Sequence, residues 1–133
     1  MRFQSVWTPA MGSAGQLFAV LSHADNLKKL MPEQVLGWRG DADSCTFTIQ
    51  GVTELSLQVT ERVLNEKIRL VPVGQQAFPF DLQIAIRETP QAGEVRFEIN
   101  AELNPFLEMM AKRPLQHLVD AMAAKVPFLS LRE

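Results

Sequence analysis

The chain has 133 residues, 47% of them hydrophobic and 21% charged, with 13 basic against 15 acidic side chains and a net charge of −2. This composition reads as one globular domain spanning residues 1–133, long enough to bury about two thirds of its unfolded surface. It offers no basic run to hold nucleic acid or an anionic bilayer, and no apolar stretch of membrane-spanning length. The opening residues 1–5 carry no apolar leader-type segment, so a cytoplasmic protein without stable membrane insertion is expected. Cys45, the one cysteine, sits at an apolar position of an alternating run and reads as a small buried hydrophobe rather than a reactive thiol.

In chain order, a first strand is expected from Arg2 to Trp7, with Phe3, Ser5 and Trp7 on one side and Thr8-Pro9 as its stop. Ser13 can cap a short helix in which Ala14, Leu17, Phe18 and Leu21 share a face, and residues 22–25 interrupt it. A second short helix, Asn26 to Leu30, ends at Met31-Pro32. From Glu33 the period becomes twofold: Leu36 and Trp38 are matched, then comes a turn at 40–43. Cys45, Phe47 and Ile49 alternate up to Gly51, and Leu55, Leu57 and Val59 up to the Asn65-Glu66 turn. Ile68 and Leu70 continue to Pro72, and 74–79 form the longest loop of the sheet region. Phe80, Leu82, Ile84 and Ile86 make another one-sided strand, closed by a turn at 89–93.

The last strand alternates strictly, with Val95, Phe97, Ile99, Ala101 and Leu103 against Glu94, Arg96, Glu98, Asn100 and Glu102, so its sheet has one wet face. It leads into a long helix with Asn104 as N-cap and Pro105 at the first position, where a missing N–H loses nothing. Leu115, Leu118, Val119, Met122 and Val126 form its buried stripe. Pro114 predicts a kink or break near 111–114. Pro127 ends the helix and leaves Phe128, Leu129 and Leu131 as an apolar tail that must pack or find a partner, a second copy of the chain included.

The order is α+β: two short helices after the first strand, then strands joined by hairpin-length turns, which makes them antiparallel neighbours, and one long carboxy-terminal helix. Six or seven strands with a single apolar face satisfy it by curving around that helix, with Gly37, Gly40 and Gly51 available for bulges and bends.

No constellation for catalysis or metal binding emerges. His23 and His117 lie in separate helices without a partner motif, and no cofactor is expected. The chain has neither a nucleophile elbow nor a phosphate loop. The paired acids Asp41 and Asp43, and Glu98 and Glu102, read as solvated charge in a turn and on a wet strand face. What remains is the apolar face, with Phe47, Leu57, Phe80, Leu82 and Phe97 set opposite Phe106, Met109, Met110 and Met122, and Trp38 at its rim. These ten residues are the candidate ligand-contacting set. Two readings stay open: a packed core, or an apolar cavity lined by adaptable methionines. With no ionisable side chain expected to point inward, a ligand there would be uncharged where it is buried.

The run Trp7-Thr-Pro9, Phe18, Leu21-Ser22 and Leu30-Met31-Pro32, followed by strands and a long final helix, resembles the START-like superfamily, also called SRPBCC or helix-grip. Cys45-Thr-Phe-Thr-Ile49, and Asn104-Pro105 with Arg113-Pro114-Leu115-Gln116, are similar to small bacterial members that have no assigned activity. The resemblance implies a curved antiparallel sheet gripping the last helix around an apolar cavity. It implies binding of a lipid-like or polyketide-like molecule, with a cyclase or dehydratase activity as the alternative. The cyclase branch commonly uses inward tyrosine and arginine; this chain has no Tyr, and Arg69, Arg87 and Arg96 alternate opposite the apolar positions.

Overall fold

The computed structural model describes residues 1–50, 53–74 and 78–131. The expected bend at Gly51 and the middle of the 74–79 loop lie outside the described residues. The strands are β1 (Arg2–Gln4), β2 (Thr8–Pro9), β3 (Val35–Gly40), β4 (Ser44–Ile49), β5 (Thr53–Val63), β6 (Lys67–Pro72), β7 (Phe80–Glu88) and β8 (Gly93–Ala101). They form one antiparallel sheet in the order β1-β8-β7-β6-β5-β4-β3, with β2 also paired to β8. The helices are α1 (Ala14–Leu21) and α2 (Pro105–Lys125), with 3-10 segments at Ala24–Leu30 and Val126–Phe128.

The expected first strand is split in two. Ser5 fills the gap between β1 and β2: its N–H donates to the Phe97 carbonyl at 2.9 Å, and its Oγ accepts from the Phe97 N–H at 3.0 Å. A side-chain oxygen thus replaces a ladder carbonyl. Beyond it the chain turns Trp7 to the wet face, beneath the guanidinium groups of Arg87 at 4.1 Å and Arg96 at 4.8 Å, so Trp7 does not share the inner side with Phe3.

Strand β3 also departs from simple alternation. Gly37 has φ +63, and the register with β4 shifts between Leu36 and Arg39, so a bulge changes which residues face inward. Val35 and Trp38 pack on the core while Leu36 is exposed. Strands β4, β6, β7 and β8 follow the expected alternation, as does β5 up to Val59, beyond which its register with β6 shifts before Glu61. Phe47, Leu55, Leu57, Ile68, Leu70, Leu82, Ile84, Val95, Phe97 and Ile99 are all buried on one face.

That face is covered by three elements. Helix α1 begins with a capping box, in which Ser13 Oγ accepts from the Gln16 N–H while Gln16 Oε1 accepts from the Ser13 N–H. Its start is pressed against the start of β8, where the Gly93 N–H donates to the Gly12 carbonyl at 2.7 Å. The link between α1 and the 3-10 segment is held by Arg62 of β5. Its guanidinium donates to the carbonyls of Ser22 and Ala42 and to Asp43 Oδ1, tying this link to the β3–β4 hairpin.

Helix α2 lies over β8 and β1 and against the 3-10 segment. Asn104 Oδ1 caps it by accepting from the Leu107 N–H at 2.8 Å. The expected stripe is buried: Leu115, Leu118, Val119, Met122 and Val126, joined by Ala111 and Ala123. The helix is not broken at Pro114, which lies within one continuous span. The buried anchors Ala111 and Leu115 bracket the proline, and the Met110 carbonyl that loses its donor belongs to a residue exposed to water. Of the apolar tail, Leu129 and Leu131 fold back into the core, and Phe128 is exposed.

Candidate functional site

The space enclosed by the sheet, α1, the 3-10 segment and α2 is where a ligand would have to lie. Phe47 and Leu57 come from β4 and β5, Phe80 and Leu82 from β7, Phe97 from β8 and Met122 from α2, and all six belong to one continuous buried cluster. Strand alternation aims the first five inward, and the three-four spacing of α2 aims Met122 at them. Trp38 is half-buried at the rim, its ring stacked on Phe47 with centroids 5.3 Å apart, and its Nε1 donates to Asp25 Oδ1 at 2.8 Å.

Phe106, Met109 and Met110 do not join this wall. They are 67%, 85% and 46% exposed. On a helix whose buried side is set by Ala111, Leu115, Leu118 and Met122, positions 106, 109 and 110 fall roughly half a turn away, facing solvent. Leu103 and Leu107 are the partly buried residues that pack at this end of α2.

Several wall residues are absent from the ten-residue candidate set. Leu17 of α1 and Leu27 and Leu30 of the 3-10 segment are fully enclosed, and Phe78, inside the expected loop, is buried and packs tilted on Phe80 at 5.5 Å. Helical spacing signals Leu17; a loop residue such as Phe78 carries no periodic signal at all.

The chemistry of this interior is apolar. Among the described residues the buried polar side chain is Ser5, whose Oγ also donates to the Val6 carbonyl at 3.0 Å. Cys45 is buried, and its thiol is pushed up to about 12, first by burial and then by the nearby charges of Asp25 and Asp41. His23 and His117 are both exposed. No group of three His, Cys, Asp or Glu converges among the described residues.

The polar chemistry lies on the opposite face of the sheet. Asp81 Oδ2 accepts from Arg69 Nε at 3.0 Å and Gln83 Nε2 at 3.3 Å, and its Oδ1 accepts from Asn100 Nδ2 at 3.0 Å. Asn100 also donates to Glu98, which accepts from Gln4. Burial opposes charge on Asp81, but the donors Asn100, Arg69 and Gln83 together outweigh it and hold the carboxyl below its ordinary value. An open cleft of about 520 Å³ lies at this edge, lined by Arg2, Arg69, Phe80, Asp81 and Asn100 among others. Its polar donors and acceptors are already committed to one another, so it makes a poor match for an apolar ligand. No helix among the described residues is long and apolar enough to cross a membrane.

No protein-family model matches the chain, and no curated protein matches it. Solved structures do. The solution structure of the KanY protein superposes with a TM-score of 0.77 at 10% identity, covering 96% of this chain and 95% of the other. A protein from Thermus thermophilus gives 0.68 at 12% identity, covering 95% and 94%. A START superfamily protein from Mycobacterium smegmatis gives 0.66 at 14% identity, covering 95% of both chains. Taken with the antiparallel sheet and the helix laid across it, these matches show the fold, the helix-grip arrangement that the chain shares with that START superfamily protein.

Proposed function

We infer that this protein binds a small hydrophobic molecule, lipid-like or polyketide-like, between the inner face of the sheet and α2. The observation that carries this reading is the inner wall itself: apolar side chains run without a buried charge, among the described residues, from β4 across to β8 in a fold built to grip a helix over that wall. A molecule held there is uncharged where it is enclosed, because an unpaired buried charge would cost several kcal/mol. Since Phe97, Leu17 and Met122 are fully enclosed by protein, binding displaces side chains rather than filling a standing void. Met122 is the adaptable member of that wall. The amino-terminal half of α2, less buried than the half after Leu115, is the segment that yields to admit the ligand.

The test combines native mass spectrometry of the purified chain with titration of an apolar fluorescent probe. Saturable one-site binding, weakened several-fold by Phe80→Trp and by Phe97→Leu, is expected. Absence of saturable binding, or binding indifferent to both substitutions, overturns the reading. A cyclase or dehydratase would need at least two polar side chains converging inside. Ser5, already bonded to backbone on both sides of its hydroxyl, supports binding over catalysis.

A further inference from the structure

Helix α2 is one continuous span, but its two halves are held very differently. After Pro114 its inner side carries Leu115, Leu118, Val119, Met122 and Ala123, all buried. Two side chains of that half also tie it to other elements: Gln116 Nε2 donates to the Gln4 carbonyl at 3.2 Å, and Lys125 Nζ donates to the Met31 carbonyl. Before Pro114 the buried residue of the helix is Ala111, with Leu107 partly buried one turn earlier. Among the described residues no hydrogen bond or ion pair joins residues 106–113 to anything beyond the helix and its Asn104 cap.

The boundary between the halves is also where α2 bends most easily. In a helix each N–H bonds to the carbonyl four residues back. Pro114 has no N–H, so the Met110 carbonyl goes without that bond, and the proline ring crowds it. Local opening follows such boundaries, where one side has few buried contacts and the backbone bonding across the join is incomplete. Helix α2 starts just beyond the end of β8, where Ala101 pairs with Phe80, so the loosely held half begins at the Phe80 end of the apolar wall. We propose that Pro114 is the hinge of a lid: residues 105–113 swing off the sheet as a unit while the half from Leu115 onward stays seated. Leu107 and Ala111 are its latch. The purpose of the lid, to admit a ligand, rests on the binding reading above; the hinge itself does not.

Thiol labelling on either side of the proline tests the hinge. Ala111→Cys and Ala123→Cys place a small thiol at buried positions of the same helix, and buried Cys45 is the reference thiol in every chain. A disulfide reagent should label the Ala111→Cys chain at the new thiol at least about tenfold faster than the Ala123→Cys chain, each rate being divided by that of the urea-unfolded chain. Adding Pro114→Ala restores the missing backbone bond and should slow labelling at position 111 at least about fivefold. Adding Gly15→Ala, a helix-favouring change in α1, should leave that rate unchanged, because local opening does not involve α1. Unchanged circular dichroism spectra confirm that the variants fold. Equal labelling at positions 111 and 123, or labelling at 111 indifferent to Pro114→Ala, overturns the hinge. Stopped-flow association of the apolar fluorescent probe should slow several-fold in the Pro114→Ala chain; an unchanged association rate beside slowed labelling overturns the lid as the entry path. Absence of saturable probe binding removes the binding reading instead, and the labelling rates then decide the hinge by themselves.

Discussion

Trp38 Nε1 donates to Asp25 Oδ1 at 2.8 Å, and through that bond the edge strand β3 is fastened to the 3-10 segment. The indole has a polar edge and an apolar body, and the structure uses both, since the ring stacks on Phe47. Gly40 completes the arrangement. A Cβ there would lie 2.7 Å from Asp25 Oδ1 and 3.2 Å from Trp38 Nε1. Trp38→Phe keeps the stacked ring and loses the donor, and should lower stability by about 1–2 kcal/mol. Gly40→Ala attacks the same bond from the other side. Urea unfolding of the two single variants and the double should therefore show losses that sum to more than the double loses, whereas strict additivity would mean the two residues act independently.

Gly93 is defined by what stands over it. A Cβ at this position would lie 2.5 Å from the Ala14 nitrogen and 2.6 Å from the Ser13 carbonyl carbon, which are backbone atoms that cannot swing aside. Gly93→Ala must push the first turn of α1 off β8 and should lower stability by about 2–3 kcal/mol. Gly15 is the contrast, because its nearest atoms are 3.8 Å away and it lies inside α1. Gly15→Ala should raise stability by about 0.5–1 kcal/mol through helix propensity. Thermal unfolding of the pair checks both signs at once, and equal effects would discard the close-approach argument.

Alternation gave β4 through β8 because each strand has one buried face, and a period of two reports that directly. It failed at β3, where the Gly37 bulge exchanges Leu36 for Val35 on the inner side, since a bulge changes the register without altering the pattern of residue types. On α2 the spacing of Phe106, Met109 and Met110 is itself helical, so the pattern announced an apolar stripe but not which stripe meets the sheet. The small residue Ala111 decides that, and a single alanine carries little periodic weight. Nor could periodicity separate a packed interior from a hollow one, because it records the direction of side chains and not the volume between them. The order of elements was therefore legible, though not the split of the first strand, the register of β3 or the unbroken span of α2, and of the candidate wall only the strand-borne part and Met122 were.

Cys45 offers a probe of the core that needs no substitution. It is 2% exposed, and its thiol is pushed up to about 12, so at pH 8 almost no thiolate is present and no reagent can reach it. A disulfide reagent should leave the native chain unmodified and label Cys45 fully once urea unfolds it. Rapid labelling of the native chain would show that β4 opens locally without global unfolding.

Asp81 ties acid stability to the outer face of the sheet. Burial raises its carboxyl pKa, but the hydrogen bonds from Asn100, Arg69 and Gln83 prevail and set it below the ordinary 3.8. A depressed folded-state value means that folding favours the charged carboxylate. The stabilisation is fully present above the unfolded value and is lost as pH falls through the folded one. Asp41 shares the direction, lowered by the N–H of Asp43 and then by the hydroxyl and N–H of Ser44, so the two carboxylates act in the same acid window. Stability of the parent chain should be flat in this respect above about pH 5 and should fall below it. Asp81→Asn should be less stable at neutral pH, where Arg69 loses its charged partner, and should show a shallower decline on acidification. Denaturant melts of both chains between about pH 2 and 7 measure this directly. Parallel curves across the whole range would show that Asp81 contributes nothing specific to the acid limb, and would assign it to other carboxylates.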